Sequence, residues 1–114
     1  MASFGTLLRE QRRLAGISQR ELAAKANLDF SYISKLENDR IPPPAAETIV
    51  TLSRILASSP QDLLAAGGKL PQQTQDVVST SPAAQEFLES AAQMRLTEEE
   101  WRMIATSLHR LRER

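Results

Sequence analysis

Apolar residues recur along this chain at helical spacing, and the pattern breaks at Gly, Pro, Asn, Ser and Thr positions suited to helix ends. The first stripe, Phe4, Leu7, Leu8, Leu14 and Ala15, predicts a helix from about Phe4 to Ala15. Its other faces carry Arg9, Arg12 and Arg13, and Gly16 ends it as a C′ glycine. Ser18 with Glu21 three residues later is a capping-box signature, so a second helix starts there. Leu22, Ala23 and Ala26 give it a narrow face that lets another helix come close. Asn27 and Leu28 break the pattern, because Asn tolerates left-handed backbone, and Asp29 is the next N-cap. Behind it Ile33 and Leu36 share a face, while Phe30, Ser31, Ser34, Lys35 and Asn38 fall away from it and are expected to be exposed.

Residues 41–44 form a stiff connection, since consecutive prolines favour extended backbone, and Pro44 suits a helix start. Ile49, Leu52, Ile55 and Leu56, broadened by Val50, predict a fourth helix. Ser59 and Pro60 make an N-cap and N1 pair for a fifth, with Asp62 near the positive end of its dipole. That helix contributes Leu63 and Leu64 and stops at Gly67 and Gly68. Short helices with no β pattern predict an all-α globule whose apolar faces cover one another.

Between residues 69 and 81 the composition shifts to Gln, Thr, Ser and Pro, which reads as a connector. Val77 and Val78 are its anchors, and the periodicity leaves a short helical turn there open. Ser81 and Pro82 begin a further helix along which Ala84, Phe87, Leu88, Ala91 and Met94 line up. Leu96, Thr97 and Glu100, with Trp101 at N4, form a staple and capping box that start the last helix. Its stripe is Trp101, Ile104, Ala105, Leu108 and Leu111. The organisation read from the sequence is a domain at 1–68, a connector at 69–81 and a helical hairpin at 82–114.

The segment from Ser18 to Arg40 resembles the helix-turn-helix of the Cro/CI-like (Xre) family of DNA-binding transcriptional regulators. Gln19 opens the second helix, Leu22 and Ala23 follow, and after the turn come Ile33, Leu36, Glu37 and Asn38. The likeness continues through IPPPAAETIVTLSRIL and SPQDLLAAGGKLP, covering roughly the first two-thirds of the chain. The implied fold is the five-helix Cro/CI-like domain, followed here by a two-helix hairpin. The family usually has Gly where Asn27 and Asp39 stand. Both substitutes tolerate positive φ better than most residues, so the turns are expected to survive at a modest cost.

The resemblance implies a structural bridge between Arg12 and Glu37, against the alternative of a direct DNA contact by Arg12. It implies that Gln19 contacts phosphate and reaches toward a base edge, against the plainer role of an N-terminal polar residue. Asp29, Phe30 and Ser31 match the first positions of the recognition helix, Lys35 matches a base-facing position one turn on, and Asn38 and Arg40 match backbone contacts beyond it. A donor-only lysine suits the acceptor-only edge of guanine, although Lys35 is also readable as a solvated surface lysine. Phe30 either meets thymine methyl groups or folds down onto Tyr32, and Tyr32 either places its hydroxyl on a phosphate or packs its ring inward. Ser34 joins the set by its spacing.

Charge adds little: Lys plus Arg and Asp plus Glu each total 14, which argues against non-specific nucleic-acid binding by global charge. Residues 1–40 nevertheless hold seven basic side chains against five acidic ones. There is no cysteine for a disulfide, thiolate metal site or nucleophile. His109, the single histidine, reads as a surface residue, and the acidic run 98–100 complements a helix dipole. No glycine-rich phosphate loop, HExxH or nucleophile elbow occurs, so no catalytic residue, metal or cofactor is expected. The absence of a membrane-length apolar run or signal-peptide core makes a cytoplasmic protein with no membrane partner the expectation.

A two-helix hairpin alone leaves one side of each stripe wet, so it either folds back on the first domain or packs on a second subunit. The dimer is the expected reading, because a single recognition helix reads few base pairs and a two-fold pair doubles the contacts. Phe87, Leu88, Ala91, Met94, Trp101, Ile104, Leu108 and Leu111 are the candidate dimer interface, with Trp101 equally readable as an ordinary core residue. The expectation is a sequence-specific regulator that binds double-stranded DNA at a pseudo-palindromic operator as a homodimer, a repressor by family tendency. The alternative is an antitoxin-like or partner-controlled regulator whose hairpin binds another protein.

Overall fold

In the computed structural model, which describes residues 2–113, the chain is all-helical, with eight helices and no strand among the described residues. Helix α1 (Phe4–Leu14) starts at Ser3, whose hydroxyl accepts from the Thr6 N–H at 3.1 Å, and Gly16 follows its end at φ +72°. Leu14 and Ala15 do not join the core as their place in the stripe suggests. Leu14 lies about 120° around the helix from Leu8 and is 82% exposed, and Ala15, beyond the last turn, is exposed too. Helix α2 (Gln19–Ala26) carries the capping box: Glu21 N–H donates to Ser18 Oγ at 3.0 Å and Ser18 N–H to Glu21 Oε1 at 3.2 Å. Asn27 ends it in left-handed backbone at φ +57°. Asp29 is the N-cap of α3 (Phe30–Glu37) by backbone geometry, but its side chain makes no capping hydrogen bond.

Helix α4 (Ala46–Ile55) begins after Pro44 rather than on it, with Ala45 as N-cap and Pro44 buried ahead of it. Helix α5 (Pro60–Ala66) has Pro60 at its first turn and ends at Gly67, with Gly68 left-handed after it. Between these two helices Ala57 takes φ +53°, where a Cβ costs roughly 1–2 kcal/mol. The strained turn lets Ala57 N–H reach the Arg54 carbonyl and Ser58 N–H the Ser53 carbonyl, so these two carbonyls near the end of α4 are satisfied.

Helix α1 packs on α3 and α5, α2 on α3 and α4, and α4 on α5. Phe4, Leu8, Leu22, Ala23, Ile33, Leu36, Ile49, Leu52, Leu56, Leu63 and Leu64 form one buried core. At Gly5 the backbone of α1 comes so close to the end of α3 that a Cβ would stand 2.4 Å from the Leu36 carbonyl oxygen. The Asp39 carboxylate closes this contact, accepting from Gly5 N–H at 2.9 Å and from Ser3 Oγ at 2.6 Å. Asp39 holds the left-handed backbone (φ +55°) expected where the family places glycine, and its side chain also anchors the start of α1.

The chain divides into two compact units, one up to Thr74 and one from Gln75 onward. Helix α6 (Gln72–Ser79) runs through the stretch whose periodicity leaves its structure open. Helix α7 (Pro82–Met94) is capped by Ser81, whose hydroxyl accepts from Ala84 N–H, and ends at Arg95 with φ +51°. Helix α8 (Glu98–Arg110) repeats the capping box of α2, Thr97 and Glu100 exchanging bonds of 2.9 and 3.1 Å. From Gln75 on, Ala91 alone is buried among the described residues. No helix among them is long and apolar enough to cross a membrane.

Candidate nucleic-acid interface

Glu37, the last residue of α3, is buried and gathers three side chains from two other helices. Arg12 grips both carboxylate oxygens, Nε donating to Oε2 at 2.6 Å and Nη2 to Oε1 at 3.0 Å, while its Nη1 donates to the Ile17 carbonyl at 3.0 Å. Gln19 Nε2 donates to Oε1 at 3.0 Å, and Arg9 Nε reaches the same oxygen at 3.4 Å. Burial pushes the Glu37 carboxyl up, but the hydrogen bonds from Arg12, Gln19 and Arg9 and the charge of Arg12 outweigh it and hold the group below the usual carboxylate range. The same hydrogen bond raises the Arg12 guanidinium above its ordinary value. Two parallel N–H···O bonds fix orientation as well as distance, so α1 is clamped to the C-terminal end of α3.

Sequence reasoning missed Arg9, although it lies one turn before Arg12 on the same face of α1. Its Nη2 donates to the Glu37 carbonyl at 3.3 Å and to Asn38 Oδ1 at 2.7 Å. Asn38 Nδ2 in turn donates to the Ser34 carbonyl at 2.9 Å. Both ends of the Asn38 amide are thereby engaged inside the protein, and so is the Gln19 amide nitrogen.

On the outer side of α3, Ser31 and Lys35 are exposed, and so are Asp29 just before it and Arg40 just after. Ser34, expected among the exposed residues, is half-buried, because it sits between the buried Ile33 and Leu36 and the Asn38 side chain folds back over its carbonyl. Tyr32 is half-buried and packs against the core, the inward alternative of its two. Phe30 is 38% exposed, and the Arg20 guanidinium lies over its ring, 4.4 Å from the centroid. The face combines hydrogen-bond donors and the Ser31 hydroxyl on a helix whose C-terminal end is fixed from behind.

The residues singled out in the C-terminal stripes lie on α7, on α8 and at the C-cap of α8, where Leu111 sits. Ala91 is buried and Ile104 half-buried. Phe87, Leu88, Met94, Leu108 and Leu111 remain exposed, as does Trp101, at 37%.

Residues 8–63 match the helix-turn-helix family model. An uncharacterized HTH-type transcriptional regulator of Bacillus subtilis (strain 168), RghRB, is 30% identical over 89 residues, a match that takes in 78% of this chain. The chain covers 64% of that relative's length, less than two-thirds. Among solved structures, a SinR protein/SinI protein complex contains a chain of similar fold, with a TM-score of 0.51 and 20% identity over 93% of this chain and 94% of that one.

Proposed function

We propose that the chain is a helix-turn-helix transcriptional regulator of the Cro/CI-like (Xre) kind, which binds a pseudo-palindromic operator in double-stranded DNA as a homodimer and represses by occupancy. The observation that carries this reading is the exposed outer face of α3, Ser31 and Lys35 with Arg40 beyond it, on a helix clamped from behind through Glu37. In this reading α3 enters the major groove and α2 crosses the backbone. Lys35 reads a guanine edge and Arg40 holds a phosphate. The protein then acts where operator DNA is, in the cytoplasm, and performs no catalysis.

The dimer rests on the segment 82–114, whose exposed Phe87, Leu88, Trp101 and Leu108 offer a second copy an apolar face. Selection from a random duplex library at near-physiological salt tests the proposal. An inverted repeat with half-sites about one helical turn apart supports it, and a lack of any enriched sequence overturns it.

The same exposed face supports a second reading, in which the C-terminal helices bind a different protein that controls DNA binding. The structural neighbour is itself part of a complex of two named proteins. Enrichment of a single half-site, with the protein monomeric in solution, would favour this alternative.

A further inference from the structure

We propose that Arg20 is a specificity-determining residue of the interface, held over Phe30 so that its guanidinium reads a guanine. This inference rests on the DNA-binding reading above. Arg20 is the second residue of α2, next to Gln19, and Phe30 is the first residue of α3, at the end of a recognition helix that meets base edges. Both are exposed, and the guanidinium carbon stands 4.4 Å from the centre of the ring. The Arg20 side chain makes no hydrogen bond or ion pair among the described residues, so its place over the Phe30 ring is the contact that anchors it.

A guanidinium drawn over an aromatic ring by the ring's quadrupole spends none of its N–H donors on a hydrogen bond, so they stay available to a ligand. The side chain has already given up much of its rotamer freedom, so less is lost when it meets a ligand. The matching ligand chemistry is a pair of adjacent acceptors, which guanine O6 and N7 present in the major groove and which a phosphate also presents. Placement on the first residue of α3 favours the base edge. It also accounts for an exposed aromatic ring at a position where a polar reader would be expected: Phe30 is the platform, and Arg20 the reader.

The test compares wild type, Arg20→Lys, Arg20→Ala and Phe30→Leu on the duplex that wild type selects and on its single-base variants. Arg20→Lys keeps the charge but loses the planar fork. It is expected to lose discrimination at one guanine, by roughly tenfold, with the other positions unchanged. Arg20→Ala should lose the same preference, and Phe30→Leu should weaken preference at that same position by removing the platform. Equal loss on all sequences for the Arg20 variants would assign the residue to phosphate and overturn the proposal. An unaltered preference in Arg20→Lys, or in Phe30→Leu, would overturn it as well. Failure of wild type to select any sequence would instead overturn the DNA-binding reading on which the proposal rests.

Discussion

Helices α2 and α8 begin on the same device, a reciprocal Ser/Thr–Glu capping box, yet they belong to regions of opposite character. Behind α2 and α3 the large apolar side chains are buried and the Glu37 carboxylate is fully engaged. Along α7 and α8 the apolar stripes are equally regular, but Phe87, Trp101 and Leu108 stay exposed. Local signals build helices in both places, and burial is what distinguishes them. The first region holds the end of α3 from behind, as the proposed reading surface requires. The second leaves the apolar side chains exposed that the proposed dimer would cover.

The sharpest way to break this contrast is Arg12→Ala. It leaves the Glu37 carboxylate buried without its main partner, and a loss of roughly 3–5 kcal/mol is expected in chemical denaturation. Arg110→Ala, on the exposed side of α8, should stay within about 0.5 kcal/mol. Comparable losses for both would erase the distinction between the two regions.

Trp101→Ala probes the other side. If α8 joins two subunits, truncating its largest apolar residue should weaken association by about 2 kcal/mol, lowering the sedimentation-derived mass while the unfolding midpoint of the first region holds. An unaltered mass would remove Trp101 from the interface.

The Glu37 carboxyl gives a smaller, pH-dependent effect. Its pKa is depressed in the folded protein, so the unfolded chain binds more protons at acid pH, and stability is fully present above the ordinary glutamate range, about pH 4.3. It should drain away as the pH falls through the folded value. Glu37→Gln should flatten this dependence in denaturation curves collected from neutral to acid pH. An equal slope in the variant would mean that other carboxylates govern acid unfolding.

The smallest effect expected is a gain. Ala57→Gly relieves a left-handed alanine and should raise stability by up to about 1 kcal/mol in thermal or chemical unfolding.

What the sequence made legible was largely local. Ser18 with Glu21, Thr97 with Glu100, and Asn27 in left-handed backbone are all set by neighbours a few residues away, and each has the geometry its spacing implies. The stripes on α3 and α4 located Ile33, Leu36, Ile49 and Leu52 in the core for the same reason. The features not legible depend on partners brought together only by folding. Arg9 meets Glu37 across 28 positions, Asp39 meets Gly5 across 34, and the Arg20–Phe30 stack joins two helices across the turn. Gln19 and Asn38, identified through the family's DNA contacts, also turn polar atoms inward to hold α3. Helix α6 escaped because its apolar signal is confined to Val77 and Val78 among polar residues.

The measurement that bears most directly on the account is sedimentation of the full chain on two duplexes, one carrying the selected inverted repeat and one a single half-site. The account predicts two chains on the inverted repeat, bound far more tightly than to the half-site. One chain on each duplex, with equal affinity, would contradict it.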